Sequence, residues 1–269
     1  MLPDADLLHR LADAASAETL PRFRSGLVAD DKEAGATPAH FDPVTEADRA
    51  GERAVRAVLA DARPGDGVYG EEYPETFGTS GRRWVIDPVD GTRAFVCGAP
   101  VWTTLVGLEA EGAPVLGVIE QPFTSERWTG GRDAPATYRH GGEARPARTS
   151  GCERLDTARL MVTDLRSAPG AYLTADQATR LAALAGACRL TRQGLDSYAF
   201  GLLAIGELDL VCEAGLGWHD VAAVVPVIEA AGGTVTDWNG QPVRAGWNGT
   251  MVAAASEALA TAARGLLAG

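Results

Sequence analysis

Two aspartates lie three positions apart in the stretch WVIDPVDGTRAF, residues 84–95. Asp87 and Asp90 follow an apolar, β-branched run, which predicts that they leave a buried strand at a sheet edge, where loops carry function. Pro88 cannot donate a hydrogen bond to a β ladder, so we expect the strand to stop pairing and the chain to turn there. Both carboxylates can then face one point.

The same turn offers groups for a cation and for an anion. It presents the backbone carbonyl of Val89, and Gly91 and Thr92 are expected to begin a short helix whose free N–H groups favour an anion. Carboxylate and carbonyl oxygens beside a phosphate cradle indicate Mg²⁺, which takes about six oxygen ligands. The alternative is an ordinary turn, since Asp-Pro and Asp-Gly are common turn dipeptides.

Three other segments carry acidic residues that could join this site. YGEEYP contains Glu71, DPVTEAD contains Asp48 at a predicted helix start, and GWHD contains Asp220 at another. Acidic residues at helix N-termini are also common as caps, so position alone does not assign them to chemistry.

Composition restricts the class of partner. The net charge is −12 and Lys and Arg form no cluster, which argues against nucleic acid and an anionic membrane as partners. The four cysteines form no C-x-x-C pair and no signal peptide or long apolar span is present, so we expect a reduced, cytoplasmic protein. The four histidines form no zinc-type pair, which predicts that any metal lies among oxygen ligands.

The elements that must position these residues fall into two groups, predicted as subdomains 1–150 and 151–269. Apolar spacing predicts helices over 4–28 and 45–59, joined by a loop that ends near Asp42, and an antiparallel meander over 83–145. After Gly151 strands and helices alternate, which is typical of an α/β arrangement. Pro226 is expected to bend the helix after Asp220 without ending it.

The combination of G-E-E, D-P-V-D-G-T and an aspartate directly before a helix ending in A-G-G, with D-P-V-T-E-A-D upstream, resembles the inositol monophosphatase family of Mg²⁺-dependent, lithium-sensitive phosphatases. The resemblance spans residues 40–240. It implies a layered α-β-α-β-α sandwich with an antiparallel N-terminal sheet and a mixed C-terminal sheet, the activity of a phosphoric monoester hydrolase, and a homodimer.

The resemblance also implies a role for each motif residue. Glu71, Asp87 and the carbonyl of Val89 would hold a first Mg²⁺, and Asp87, Asp90 and Asp220 a second. Glu71 would help to position a third ion, and Asp48 with Thr92 would orient the attacking water. Gly91, Thr92 and Asp220 would also contact the substrate.

The substrate is implied by RQGLDSY and EAGLGWHD, residues 192–198 and 213–220. These segments resemble the branch of the family that hydrolyses L-histidinol phosphate in histidine biosynthesis, which implies substrate contacts from Arg192, Asp196 and Glu213. Two carboxylates suit the ammonium and imidazole of this small phosphate ester, because both groups donate hydrogen bonds. Asp196 could instead cap the following helix.

Two other functions stay open at this point: an inositol-1-phosphate or other sugar-phosphate monophosphatase, and an inactive regulatory or binding relative. One departure from the family concerns His219, because this chain has Gly-Trp-His before Asp220 where Pro-Tyr or Pro-Trp is expected. His219 could donate to a metal ligand or lie on the surface. Cys97 is expected to be a buried thiol.

Overall fold

The N-terminal helices form the first layer of the fold. The computed structural model describes residues 3–32, 43–167 and 172–267. Helix α1 (Pro3–Thr19) ends in a 3₁₀ turn (Leu20–Arg22), so the helix predicted over 4–28 is too long. Helix α2 (Glu46–Ala62) begins at a capping box in which Thr45 accepts from Ala47 and Asp48 accepts from Thr45. Most of the loop predicted between them, including Asp42, lies outside the described residues.

A meander forms the second layer. After a short pair, β1 (Asp30–Asp31) and β2 (Pro43–Val44), the described chain builds a seven-stranded sheet in sequential order. Its strands are β3 (Gly67–Gly70), β4 (Arg82–Asp90), β5 (Thr103–Ala110), β6 (Ala113–Gln121), β7 (Glu126–Gly131), β8 (Ala134–His140) and β9 (Glu143–Pro146). A short helix, α3 (Thr92–Val96), follows β4. All neighbours are antiparallel except β3 and β4, which run parallel, so the carboxyl ends of these two strands meet at one edge.

Strands and helices then alternate as predicted. The strands are β10 (Arg159–Val162), β11 (Leu190–Gln193), β12 (Leu210–Ala214), β13 (Thr234–Thr236) and β14 (Thr250–Ala254), preceded by a 3₁₀ turn at Leu155–Thr157. The helices are α4 (Ala175–Ala187), α5 (Tyr198–Ala204), α6 (Trp218–Val221), α7 (Val224–Ala230) and α8 (Glu257–Leu267). Within the described residues the strands form a mixed sheet in the order β11-β10-β12-β14-β13.

Three apolar clusters stack these elements into layers. One packs α1 and α2 on the outer face of the meander, a second packs α5, α6 and α7 between the two sheets, and a third packs α4 and α8 on the outer face of the mixed sheet. The order is therefore helix, sheet, helix, sheet, helix, which confirms the predicted α-β-α-β-α sandwich. The boundary between subdomains at residues 150 and 151 stays a prediction.

The central helical layer sits directly on the meander at its glycines. A Cβ added to Gly117 would lie 2.0 Å from the carbonyl oxygen of Ala223, and one added to Gly107 would lie 2.7 Å from that of Ala222. Regular helical hydrogen bonding is interrupted at these two alanines, whose backbone angles stay right-handed helical, and α7 runs on past Pro226, so the proline does not end the helix, as predicted. The ring of Pro226 would collide with the carbonyl four residues earlier, and it is tolerated because α7 begins only two residues before it.

Cys97 is exposed, contrary to the expectation of a buried thiol, because it lies just past the short helix α3 at the surface. None of the helices in the described part of the chain is long and apolar enough to cross a membrane.

Candidate active site

The exit of β4 carries the central carboxylates. β4 pairs with β5 up to Asp87, loses register, and pairs again at Asp90 opposite Thr103. Pro88 therefore marks a bulge inside the strand and not its end, which corrects the expectation of a turn at this point and fits the tolerance of proline at bulges. Asp87 is 2% exposed and accepts from the Val89 amide at 3.1 Å.

A left-handed glycine ends the strand and starts the short helix. Gly91 has φ 82°, a conformation that favours glycine, and α3 begins at Thr92 as expected. The Thr92 hydroxyl lies 3.2 Å from Oδ1 of Asp48 and 3.1 Å from the carbonyl oxygen of Val89. Asp48 itself is fully buried, and its Oδ2 accepts from the amide and the hydroxyl of Thr45. The two residues assigned to water positioning are thus in contact.

Glu71 reaches the same point because β3 and β4 are parallel. It directly follows β3, and its amide donates to the Ile86 carbonyl at 3.3 Å. Lys32 Nζ lies 2.7 Å from a carboxylate oxygen of Glu71 and 2.7 Å from one of Glu72. The ammonium group of Lys32 therefore lies against Glu71, the carboxylate that the family resemblance assigns to a metal ion.

Asp220 comes from the other half of the chain. It lies in α6, where its Oδ2 accepts from the Gly217 amide at 2.6 Å. Possible ligand atoms of Asp87, Asp90 and Asp220 lie within 4.8 Å of one another, as do those of Glu71, Asp87 and His219. The two groups share Asp87, so they form one continuous cluster.

The electrostatics of this cluster fit a bound cation. Burial, together with neighbouring carboxylates, raises the pKa of Asp87 and of Asp90 well above the ordinary value, and burial raises that of Asp220. Burial also disfavours ionised Glu71, but His219 and Lys32 beside it leave its pKa lowered. Because several buried carboxylates in contact repel one another, positive charge is needed to keep them ionised. Oxygen donors in this number are the ligands that Mg²⁺ prefers.

The cluster opens into a cavity of about 550 Å³ whose far end is also acidic. Glu213, on β12, is 7% exposed and accepts from the amide and the hydroxyl of Thr163 at 2.7 and 3.0 Å. Burial raises the pKa of Glu213 to about 8. Burial likewise raises the pKa of Asp196 to about 6, although Arg93 opposes that rise. A ligand with donor groups or positive charge would match this end.

Asp196 packs on the phosphate-side turn. Its carboxylate would collide with a Cβ at Gly91, at 2.7 Å, so glycine is needed there for close approach as well as for its backbone angle. Helix α5 starts after Ser197, which carries no side-chain cap, so Asp196 is not the N-cap residue of that helix. Its φ of 44° is left-handed, which aspartate tolerates better than most residues.

The structure brings together nearly all residues proposed from the sequence. The cavity is lined by Glu71, Asp87, Val89, Asp90, Gly91, Thr92, Asp196, Glu213 and Asp220, and Asp48 contacts it through Thr92. Arg192 is different: it lies exposed on β11, at the edge of the mixed sheet, and is not among the lining residues.

Sequence reasoning missed several residues at the cavity. Lys32, Arg93, Thr163 and Tyr172 all line it, and the Arg93 guanidinium lies 4.5 Å from the centre of the Tyr172 ring. Thr163 could have been found, because it directly follows β10 and parallel strands place their carboxyl ends at one edge. In the sequence, Lys32 is one positively charged residue in an acidic loop, and nothing there indicates that it lies at the cavity.

A layered sandwich whose small-molecule cavity ends in a cluster of buried carboxylates is suited to metal-dependent hydrolysis of phosphate esters. Residues 3–267 match the model of the inositol monophosphatase family, and the chain belongs to that family. The family contains phosphoric monoester hydrolases, so the prediction of that enzyme class is confirmed.

Individual relatives differ in the substrate that their names give. The chain is 38% identical over 251 residues to a histidinol-phosphatase from Streptomyces coelicolor, covering 90% of this chain and 89% of that protein. It is 36% identical over 236 residues to the bifunctional phosphatase IMPL2, chloroplastic, of Arabidopsis thaliana, covering 87% of this chain but spanning only 64% of the length of that relative. The structure of an inositol monophosphatase from Zymomonas mobilis superposes with a TM-score of 0.83 at 38% identity, covering 98% of this chain and 97% of that chain.

Proposed function

We propose that this protein is a Mg²⁺-dependent phosphomonoesterase that hydrolyses L-histidinol phosphate to L-histidinol and phosphate. The observation that carries the substrate is the cavity itself, which is acidic at both ends. One end has the cluster around Asp87, which needs cations before it can accept a phosphate. The other end has Glu213, and Asp196 lies beside Gly91 on the wall next to the cluster. A phosphate cannot approach these two carboxylates favourably, but an ammonium or an imidazole can.

The residues present fit the metal that the family implies. Glu71, Asp87 and the Val89 carbonyl would hold one Mg²⁺, and Asp87, Asp90 and Asp220 a second, with Glu71 helping to position a third. When bound, Mg²⁺ supplies charge that polarises the phosphoryl oxygen and lowers the pKa of a ligand water. Mg²⁺ is proposed because both ligand sets are rich in carboxylate oxygens, which Mg²⁺ prefers.

The chain's own residues would orient the water and release the product. The Thr92 hydroxyl donates to Asp48, so its lone pairs are free to accept a hydrogen bond from a water that attacks phosphorus. Asp48 is fixed by Thr45 and fixes Thr92 in turn. The amides at Gly91 and Thr92 would orient the phosphate, and the alcohol would leave toward the end of the cavity that contains Glu213.

A second candidate substrate is inositol 1-phosphate or another sugar phosphate. The observation that favours it is the similarity to the inositol monophosphatase from Zymomonas mobilis, which is 38% identical. Glu213 can accept a hydrogen bond from a hydroxyl as well as from an amine. The third candidate, an inactive relative, loses support because all proposed metal ligands are present, their carboxylates lie in two groups with atoms within 4.8 Å of one another, and Thr92 contacts Asp48.

Phosphate release by the purified protein tests the proposal. We expect kcat/KM with Mg²⁺ to be at least tenfold higher for L-histidinol phosphate than for inositol 1-phosphate, and chelator to remove both activities. A preference for inositol 1-phosphate would support the phosphatase activity and exclude L-histidinol phosphate as the main substrate. No release from either ester would favour a regulatory or binding protein. A homodimer and a cytoplasmic location stay predictions.

A further inference from the structure

His219 faces the carboxylate cluster from the position where the family resemblance leads us to expect an aromatic side chain. Its side chain is 22% exposed, so it lies in the wall of the cavity rather than on the open surface. Its Nε2 is 3.4 Å from Oδ1 of Asp220 and 4.0 Å from Oε1 of Glu71. His219, Glu71 and Asp87 form a group whose possible ligand atoms lie within 4.8 Å of one another.

These separations suit donors around one cation. With metal–ligand distances of about 2.1 Å, adjacent donors of an octahedral ion lie about 3 Å apart and opposite donors about 4 Å apart. Nε2 of His219 and Oε1 of Glu71 fit the second value. Lys32 Nζ lies 2.7 Å from the same oxygen of Glu71, so positive charge is accommodated at this point in the structure.

The imidazole is held in position by its neighbours. A Cβ at Gly217 would lie 2.6 Å from Cε1 of His219, so the ring packs closely on the glycine backbone. The Tyr69 ring stacks near it, with ring centres 6.4 Å apart and an angle of 21° between the planes. Among the described residues, Nδ1 of His219 is buried with no hydrogen-bond partner, so Nε2 is the nitrogen directed at the carboxylates.

We propose that Nε2 of His219 is a ligand of the cation held by Glu71 and Asp87, and that this site therefore binds a first-row transition cation such as Mn²⁺ more tightly than Mg²⁺, although Mg²⁺ can also occupy it. The second group, Asp87, Asp90 and Asp220, offers only oxygen from its side chains. A nitrogen donor adds affinity for first-row transition cations, least for Mn²⁺ and more for Co²⁺ and Zn²⁺, but adds little for Mg²⁺, which prefers oxygen and retains its water. The two sites would then differ in metal preference within one cavity. The inference rests on the proposed function only in that this carboxylate cluster binds cations.

The test uses Mn²⁺ alone and Mg²⁺ alone, without substrate. Half an equivalent of Mn²⁺ is added to the full chain, and electron spin echo envelope modulation detects coupling to imidazole nitrogen. We expect nitrogen coupling in the wild type, loss of it in His219→Phe, and retention in the control His140→Phe. Both changes replace a histidine by another aromatic residue. His140 is a suitable control because it is exposed on β8 and stacks on Tyr138, as His219 stacks near Tyr69. Circular dichroism checks that each variant is folded.

Calorimetric titration supplies the second readout. His219→Phe is expected to weaken the tightest Mn²⁺ site by about tenfold or more, since even outer partners of metal ligands are worth about 10–100-fold. Mg²⁺ binding should change by less than about threefold. The inference is overturned if the wild type shows no nitrogen coupling, if the coupling persists in His219→Phe, or if both metals lose affinity equally, as an ion pair with Asp220 alone would give. Phosphate release with Mg²⁺ is measured separately, so the proposed function can stand when this inference fails.

Discussion

Replacing Asp196 by asparagine tests which group of the substrate this carboxylate recognises. Asn has nearly the same shape and tolerates the left-handed φ of 44°, so the change removes charge without disturbing the turn. An ammonium about 4 Å from a carboxylate gains about 4 kcal/mol at an effective dielectric constant of about 20. Arg93 already opposes the charge of Asp196, and we halve the gain to about 2 kcal/mol, which is about 30-fold in rate.

The assay is kcat/KM with Mg²⁺ for L-histidinol phosphate and for inositol 1-phosphate. Asp196→Asn should lower the first by about 30-fold and the second by less than about threefold, since a neutral polyol gains little from the charge. Asp164→Asn is the matched control: Asp164 also lines the cavity but is already paired with Arg166 at 2.6 Å. It should change both values by less than about twofold. Equal losses on the two esters in Asp196→Asn would refute an ammonium contact at this residue.

Three other changes test separate parts of the structure. Asp90→Asn should remove nearly all phosphate release while the circular dichroism spectrum is unchanged, and normal turnover would place the site elsewhere. Gly117→Ala should lower the free energy of unfolding in urea by about 3 kcal/mol, because its Cβ would lie 2.0 Å from the carbonyl oxygen of Ala223; an unchanged midpoint would contradict this contact. Burial and Arg127 lower the pKa of His9 in the folded chain below 6.5. As the pH falls, the unfolded chain therefore protonates this histidine before the folded chain does, and the free energy of unfolding decreases below pH 6.5. The loss between pH 6.5 and 5 should be smaller in His9→Gln, and equal slopes would exclude His9 as its source.

The local motifs could be predicted from sequence because their chemistry is contiguous. Asp87, Val89, Asp90 and the Gly91 turn lie within five residues, so no long-range geometry is needed to bring them together. The contact between Asp48 and Thr92 is different, because 44 residues separate them, and only the family resemblance predicted it.

The errors have a common physical origin in side-chain direction and in packing. Arg192 lies on a segment that the sequence assigned to the substrate, but on the edge strand β11 its side chain is exposed to solvent. The face of the sheet on which a strand residue lies cannot be predicted without the register. Exposure of Cys97 depends on how the short helix α3 sits at the surface.

The hydrogen bond from the Ser197 amide to Oδ2 of Asp90, 2.7 Å long, joins the two halves of the chain at the cation cluster. Asp220 also reaches the cluster from the second half. During synthesis the first 150 residues can therefore hold only part of the ligand set, and the cluster is complete only after residue 220 has emerged and the second sheet has docked. The set of Asp87, Asp90 and Asp220 therefore exists only in the docked state, so a cation bound there would stabilise the docked state.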